Sequence, residues 1–314
     1  MQNETSSERP GKRTIIFLRW LIAAAVFFYI GQIIIKDWAQ LREARLAIHL
    51  LPLLGASVLL CMHFYGAALL WQFLTRFARV DLPLLQGLYV WFYSFLGKYI
   101  PGKVAILIGR VSFYKEQGFS IRKTTLLFML ENIIQLFAAL LLILLALLEH
   151  AAFPYPEYRA VLICLAAILL ITMHPKLLQG LLNGILTIIG KDTIDLFITY
   201  RQIALLLAGA LINLLVLGWA VFLFINGLYP FSIDHYLYIL ATFLFASWVG
   251  IFSLITPGGI GVRDGIFFFA LLRIMPEPHA ALIVIVLRIW TLCCELLSFL
   301  TVYILSKRPL RPPP

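Results

Sequence analysis

The sequence predicts an all-α fold, a polytopic transmembrane helical bundle, and three observations support this class. The chain has 314 residues, of which 62% are hydrophobic and only 13% are charged, with a mean hydropathy of +0.96. A soluble domain would be nearer a quarter charged. Apolar runs of about 20 residues recur, and each can span a hydrocarbon core of about 30 Å. Two long apolar segments are interrupted by Pro-Gly pairs, which predicts about six full spans and two broken or re-entrant helical hairpins.

The first predicted elements are a short polar segment and a retained span. Residues 1–14 are polar and then basic, and we expect them to be cytoplasmic. The apolar run at 15–35 is longer than the hydrophobic region of a signal peptide, and no convincing cleavage motif ends it. Since later polar stretches are short, a single transmembrane domain is expected over 15–305, followed by a basic cytoplasmic tail at 306–314.

The remaining unbroken apolar runs predict further spans. They lie at 47–74, 124–148, 160–173, 203–225 and 279–305. Between them, residues 176–200 place Gln179, Asn183 and Thr187 on one face, opposite leucine and isoleucine. This pattern predicts a helix that lies in the membrane interface and does not cross it.

The first broken segment covers residues 84–108. Its opening 14 residues are too few to cross a bilayer, and they lead into Lys98, Pro101, Gly102 and Lys103. A hairpin that enters and leaves by the same face fits this pattern. A basic loop is expected after it, with Arg110, Lys115, Arg122 and Lys123.

The second broken segment covers residues 236–275. Its apolar run is cut by glycines and a proline and then meets two charges, at Pro257, Gly258, Gly259, Gly261, Arg263 and Asp264. A bilayer offers no water to freed backbone groups, so we expect protein or a polar cavity around this break. The glycines do not form a phosphate-binding loop, because GxxxxGK[ST] is absent and no strand precedes them. Tight packing and close approach to a ligand remain equally open for them.

The distribution of basic residues predicts the topology. The net charge is +10, which for this composition reflects loop charges and lipid headgroups, so nucleic acid is not an expected partner. With both termini inside and two re-entrant hairpins, fifteen Lys or Arg residues lie inside and five outside. The hairpins then open on opposite faces. Matching breaks of opposite orientation indicate an inverted repeat with a site at the midplane.

Charged residues within apolar runs are the strongest functional signal. Each would cost at least about 2.5–3.5 kcal/mol at the centre of a lone helix, so they should face inward and pair. The set comprises Lys98, Lys103, Arg110, Glu131, Arg263, Asp264, Arg288 and Glu295. We expect Arg288 to pair with Asp264, and Glu295 or Glu131 to pair with Lys103 or Arg263. The network either fixes packing or receives an anionic headgroup, for which the planar arginine fork is well suited.

Other reactive side chains do not indicate catalysis or cofactor binding. His63 is the only histidine in the middle of a span, and without ligand spacing it reads as a hydrogen-bonded core or interface residue. The four cysteines lie in apolar runs and read as packing residues. No metal site and no cofactor are predicted.

Two motifs resemble the lysylphosphatidylglycerol synthase transmembrane-region family, also called flippase-like integral membrane proteins. The late motif of that family is Pro-Gly-Gly-x-Gly-x-x-Glu with an intramembrane Arg one helix on. Pro257, Gly258, Gly259 and Gly261 match it, with Asp264 in the place of the Glu and Arg288 as the later Arg. The early motif is matched by Pro101, Lys103 and Arg110. KYIPGKV resembles a subgroup found with cell-surface glycan pathways, and Glu131 matches a Glu-Arg pair in which Asn132 replaces the Arg.

The resemblance implies movement or handling of a polar- or phosphate-headed lipid, either a phospholipid or a polyprenyl-linked glycan. The synthases carry a soluble aminoacyl-transferase domain that this sequence lacks, so no enzyme activity is expected. The alternative is a non-transporting accessory protein that partners a cell-envelope glycosyltransferase. The family suggests the plasma membrane of a prokaryote, and the sequence leaves a homo-oligomer open.

Overall fold

The computed structural model describes residues 48–99, 104–149, 159–188, 199–252 and 261–306. The described part contains ten α-helices and no strand, which confirms the all-α class. They are α1 (Leu50–Phe77), α2 (Leu84–Phe95), α3 (Val104–Glu116), α4 (Ile121–Glu149), α5 (Arg159–Thr172), α6 (Pro175–Ile188), α7 (Tyr200–Asn226), α8 (Tyr236–Phe252), α9 (Val262–Leu271) and α10 (Glu277–Ser306). A 3-10 turn, Leu96–Tyr99, follows α2, and another, Ile233–His235, precedes α8.

Five helical stretches are long and apolar enough to cross a membrane, so this is a multi-pass membrane protein. They are α1, α4, α7, α10, and α8 together with its preceding 3-10 turn. The span predicted at 15–35 lies outside the described residues. The span predicted at 160–173 is the 14-residue α5, whose length of about 21 Å is short for a crossing. It counts as a sixth span only if α6, bent from it by 76°, is included.

The described part of the amphipathic stretch is α6, Pro175–Ile188. The prediction of one helix through residue 200 is wrong at its end, where Thr199 is not helical. Thr199 has extended backbone and is the N-cap of α7, since its hydroxyl accepts from the Gln202 amide while the Gln202 side chain accepts from the Thr199 amide. This capping box starts a new helix at Tyr200.

The centre of the bundle is an antiparallel pair, α1 and α7. The backbone N–H of His49, before α1, donates to Gly227 O, after α7, at 2.9 Å. In the middle of both helices His63 Nδ1 lies 3.1 Å from Asn213 O. Farther along α1, Leu70 contacts Gly209 near the start of α7. Later positions in α1 therefore contact earlier positions in α7, as in an antiparallel pair.

Helices α2 and α3 form the first hairpin, as predicted. Arg110 Nε on α3 donates to Ser94 Oγ on α2 at 3.1 Å, and Gly97 lies against the backbone of Ala105. A Cβ added at Gly97 would lie 2.9 Å from the Ala105 carbonyl carbon, so only glycine allows this approach. The 12 and 13 residues of these helices reach only about 20 Å each, which suits a re-entrant pair.

Helices α8 and α9 form the second hairpin. The Tyr238 hydroxyl, near the start of α8, donates to Ala270 O, near the end of α9, at 2.9 Å. Phe243 and Phe267 pack edge to face with ring centroids 5.2 Å apart. Both ends of this hairpin therefore lie at the same end of the bundle, although α8 with its preceding turn is long enough to cross a membrane.

The pattern of helix contacts is preserved when the halves α1–α4 and α7–α10 are exchanged. Helix α2 packs on α10 as α8 packs on α4, and α3 packs on α4 as α9 packs on α10. Since α1 and α7 are antiparallel and each hairpin follows one of them, the hairpins open at opposite ends of the bundle. This is the arrangement expected of an inverted repeat.

The basic loop predicted after the first hairpin is mostly helical. Arg110 and Lys115 belong to α3, and Arg122 and Lys123 lie in the first turn of α4. Arg110 is only 2% exposed, so its assignment to a cytoplasmic loop is wrong. Its charge is tolerated inside because an acidic partner and aromatic rings surround it.

Candidate functional site

Lys98, beside the closed end of the first hairpin, forms an ion pair with Glu295 on α10. Lys98 Nζ lies 2.5 Å from Glu295 Oε2, and the Tyr99 hydroxyl donates to the same oxygen at 3.1 Å. The Glu295 side chain is fully buried, whereas 21% of the Lys98 side chain is exposed. The ammonium also lies 3.9 Å from the Phe95 ring centroid, a cation–π contact. These contacts tie the first hairpin to α10.

Arg263 and Asp264 lie at the start of α9, beside the closed end of the second hairpin. Arg263 Nη2 and Nε donate to Asp264 Oδ1 at 3.0 and 3.1 Å. Gly261 is the N-cap, with φ of 85°, and its N–H donates to Asp264 Oδ2 at 3.2 Å. Glycine is favoured at positive φ, and a carboxylate stabilises the first turn of a helix. Asp264 therefore caps α9 and holds the Arg263 guanidinium beside it.

Arg288 on α10 lies between these two ion pairs. It is half-buried and within electrostatic range of Arg263 and Asp264 as well as Tyr99 and Glu295. Within the part of the chain that the structure describes, Arg288 makes no hydrogen bond or ion pair. We call these six residues the charged site: Lys98, Tyr99, Arg263, Asp264, Arg288 and Glu295. Its three cations and two carboxylates give the charged site, as far as the structure describes it, a formal net charge of +1 (3 − 2).

The charged site lies near the middle of the long helix α10. Helix α10 has 30 residues, from Glu277 to Ser306, so its midpoint falls between Thr291 and Leu292. Arg288 and Glu295 flank that midpoint by about 5 Å each, at 1.5 Å per residue. The closed ends of two hairpins that open at opposite ends thus meet at the centre of one helix.

Arg110 and Glu131 form a third ion pair, separate from the charged site, between α3 and α4. Arg110 Nη1 donates to Glu131 Oε2, and Trp91 Nε1 donates to Glu131 Oε1 at 3.0 Å. The guanidinium carbon lies 4.3 Å from the Trp71 ring centroid and 5.2 Å from that of Phe128. With Arg110 Nε bonded to Ser94, this pair has its hydrogen-bonding groups largely satisfied. Such an arrangement stabilises the hairpin and leaves little capacity for a ligand.

The structure brings some predicted site residues together and separates others. Lys98, Gly261, Arg263, Asp264, Arg288 and Glu295 converge, while Arg110 and Glu131 pair with each other. Pro101, Lys103, Pro257, Gly258 and Gly259 lie outside the described residues. The expected ion pair of Arg288 with Asp264 is wrong, and neither Glu295 nor Glu131 pairs with Arg263. Their other expected partner, Lys103, lies outside the described residues. Arg263 pairs with its neighbour Asp264, because the first turn of α9 places their side chains together.

Two residues of the site region were not singled out as site candidates from the sequence. Tyr99 follows Lys98 directly, yet a tyrosine near a helix end is ordinarily assigned to the interfacial belt. His63 was predicted to be hydrogen-bonded, and its contact with Asn213 O confirms this. It also lies within electrostatic range of Lys98. Its position in the middle of a span was the available signal.

Comparison with known proteins identifies the family. No match was found among curated proteins. The family model described as lysylphosphatidylglycerol synthase TM region matches residues 16–297, which include both hairpins, the Arg110–Glu131 pair and the charged site. The chain therefore belongs to the lysylphosphatidylglycerol synthase transmembrane-region family.

Proposed function

We propose that the charged site binds the phosphate headgroup of a membrane lipid and that the protein moves this lipid between leaflets. The observation that carries the proposal is Arg288, a half-buried cation near the middle of the long helix α10 with no ion pair among the described residues. An unpaired charge at this depth is unfavourable by several kcal/mol unless an anion or water satisfies it. A site whose arginine has no fixed partner suits a headgroup that binds and is then released.

The chemistry of the site favours phosphate over other headgroups. An arginine guanidinium can bind two phosphate oxygens at once, and Lys98 supplies a second, partly exposed cation nearby. The net charge of +1 matches the single negative charge of a phosphodiester. The α9 N-terminus contributes little to anion binding, because Asp264 already accepts from the Gly261 N–H.

The opposite openings of the two hairpins support access to the site from both leaflets. The two hairpins open at opposite ends of the bundle, and their closed ends meet α10 around Arg288 and Glu295. Alternating exposure of a midplane site between two inverted halves is a recognised transport arrangement. The apolar tails of the lipid would stay in the bilayer while only the headgroup enters the protein.

The basic residues of the described helices support a cytoplasmic orientation for the end at which the first hairpin opens. That end carries the basic ends of α1, α3, α4 and α7, at Arg76, Arg79, Lys115, Arg122, Lys123 and Arg201. Among the described residues, the opposite end carries Arg273 and, by the predicted topology, Arg159 at the start of α5. By the positive-inside rule the basic end faces the cytoplasm, and we place the protein in a prokaryotic plasma membrane on the family resemblance.

Reconstitution into liposomes tests the proposal. Fluorescent phosphatidylglycerol, a polyprenyl phosphate and phosphatidylcholine would be incorporated in turn, and access to an outer-leaflet quencher measured. We expect movement of a phosphate-headed anionic lipid by the native protein and by Arg288→Lys, but at least a tenfold loss in Arg288→Leu. Arg273→Leu, which removes an exposed arginine outside the site, is the matched control.

The outcome separates transport from an accessory role. Loss of movement in Arg288→Leu with normal movement in Arg273→Leu supports the charged site as the transport site. Equal movement in both variants overturns it. If the folded native protein moves none of the three lipids, the accessory role with a glycosyltransferase partner becomes the better proposal.

A further inference from the structure

Glu295 is a fully buried carboxylate with only one of its oxygens bonded. Oε2 accepts from Lys98 and Tyr99, whereas Oε1 has no hydrogen-bond partner among the described residues. Buried polar atoms are nearly always paired, so an unpaired carboxylate oxygen calls for an explanation. A protonated carboxyl is neutral and would remove much of the unfavourable free energy of burying that oxygen.

The partner of Glu295 is the more accessible member of the ion pair. The Lys98 side chain is 21% exposed, while that of Glu295 is 0% exposed. An anion that enters the site beside Arg288 can therefore contact the Lys98 ammonium but not the carboxylate behind it. Binding of a phosphate would draw Lys98 away from Glu295 and leave a buried carboxylate without its cation. Breaking a buried pair in this way is strongly unfavourable.

We propose that Glu295 takes up one proton when a phosphate headgroup pairs with Lys98 and breaks the Lys98–Glu295 ion pair. Lipid and proton then bind the charged site together. This inference rests on the proposed function and adds the ion that is coupled to it. The step is balanced, because the Glu295 carboxylate gains one proton from water and the headgroup replaces that carboxylate as the anion beside Lys98. The lipid and the proton are later released together. The net charge of the site with its ligand then stays at +1 (3 − 1 − 1).

The other carboxylate in the site is not suited to this role. Both oxygens of Asp264 are bonded, Oδ1 to Arg263 and Oδ2 to the Gly261 N–H. Arg263 and Arg288 are the remaining cations of the charged site. Glu295 is thus the group whose partner a phosphate can remove.

Titratable groups on α1 also lie near this region. His63 is within electrostatic range of Lys98, and its Nδ1 must donate to Asn213 O because a carbonyl only accepts. Its Nε2 makes no hydrogen bond to a described residue. The thiol of Cys61 contacts Cys294 O, one residue before Glu295, at 3.9 Å. His63 is therefore the competing proton acceptor that the test must separate from Glu295.

Coupling of this kind works in both directions. If phosphate binding favours proton binding, protons must favour phosphate binding by the same factor. We expect the native protein to bind an anionic lipid more tightly as the pH falls, and Glu295→Gln to lose this dependence. With acid outside, net movement would be directed toward the cytoplasmic leaflet.

Proton counting by calorimetry tests the inference. Detergent-solubilised full-length protein would be titrated with short-chain phosphatidylglycerol in two amine buffers of different ionisation enthalpy. This lipid is a phosphodiester whose charge does not change around neutral pH, so any proton taken up belongs to the protein. We expect about one proton per lipid for the native protein and for Glu277→Gln, an exposed glutamate on the same helix, and none for Glu295→Gln.

Each result has a defined meaning. Binding without proton uptake in the native protein overturns the coupling and leaves the proposed function standing. Continued uptake in Glu295→Gln, with loss of uptake in His63→Gln, also overturns it, since the proton would then bind His63. Absence of lipid binding in the folded native protein overturns the proposed function itself, and the coupling with it.

Discussion

Arg288 and Glu295 lie two turns apart on α10, and each faces a different hairpin. Glu295 bonds to Lys98 and Tyr99 at the first hairpin, while Arg288 is in electrostatic range of Arg263 and Asp264 at the second. Residues seven positions apart share one helix face. A single face of α10 thus links the closed ends of both hairpins. A change of charge at one hairpin can therefore alter the electrostatic potential at the other.

Removing Lys98 should destabilise the protein through Glu295. In Lys98→Met the carboxylate is left buried and unpaired, and we expect the free energy of unfolding to fall by about 3–5 kcal/mol. The loss should be smaller at low pH, where a protonated Glu295 is neutral, and grow as the pH rises. Thermal unfolding in detergent across a pH series measures both effects.

The double variant Lys98→Met with Glu295→Leu provides the control for that experiment. It removes both charges, and we expect most of the lost stability to return, since a buried ion pair can be replaced by apolar groups of similar volume. Lys115→Met, at an exposed position, should change stability by less than about 0.5 kcal/mol. A double variant as unstable as Lys98→Met alone would show that the ion pair is not the cause.

The Arg110–Glu131 pair should behave as a structural element. We expect Arg110→Leu to lower the free energy of unfolding by about 3–5 kcal/mol because Glu131 loses its cation. Arg110→Lys should restore only part of this, since an ammonium cannot bond Ser94 and Glu131 while also stacking on Trp71. Lipid binding per folded molecule should be unchanged in both, and a selective loss of phosphate-lipid binding in Arg110→Lys would contradict the structural role.

Much of the fold was predictable because membrane-spanning helices require long apolar runs, which are visible in the sequence. Long apolar runs predicted α1, α4, α7 and α10, and the two Pro-Gly breaks predicted the hairpins. The prediction of one helix over 176–200 failed at its C-terminal end, because Thr199 has extended backbone and caps the start of α7. The error at Arg110 arose because a basic residue beside a loop resembles a loop residue unless its partners are known.

The ion pairs of the site were less predictable than its members. Lys98 and Glu295 are 197 positions apart in the chain, and no local pattern specifies that the first hairpin packs on α10. Arg263 and Asp264 are adjacent, a spacing at which side chains on a helix ordinarily diverge, and they meet only because Asp264 turns back to cap Gly261. Sequence reasoning identified the charges, and helix packing determined their partners.

Gly97 should be required for closure of the first hairpin. Gly97→Ala places a Cβ within 2.9 Å of the Ala105 backbone, which cannot move aside as a side chain could. We expect the free energy of unfolding to fall by about 1–3 kcal/mol, with a parallel loss of lipid binding because Lys98 is displaced. Gly180→Ala, on α6 where a Cβ meets nothing within 4 Å, should stabilise the helix by about 0.5–1 kcal/mol. Equal effects at the two glycines would refute the packing argument.

The two ends of the bundle should lie on opposite sides of the membrane. Glu116 at the end of α3 and Glu277 at the start of α10 are both exposed, and they lie at the basic and the opposite end respectively. In a background without native cysteines, we expect a membrane-impermeant maleimide to label Glu277→Cys in intact cells. Glu116→Cys should react only after permeabilisation, because positive charge is retained on the cytoplasmic side. The reverse labelling would place the opening of the first hairpin outside, and labelling of both variants in intact cells would exclude the inverted arrangement.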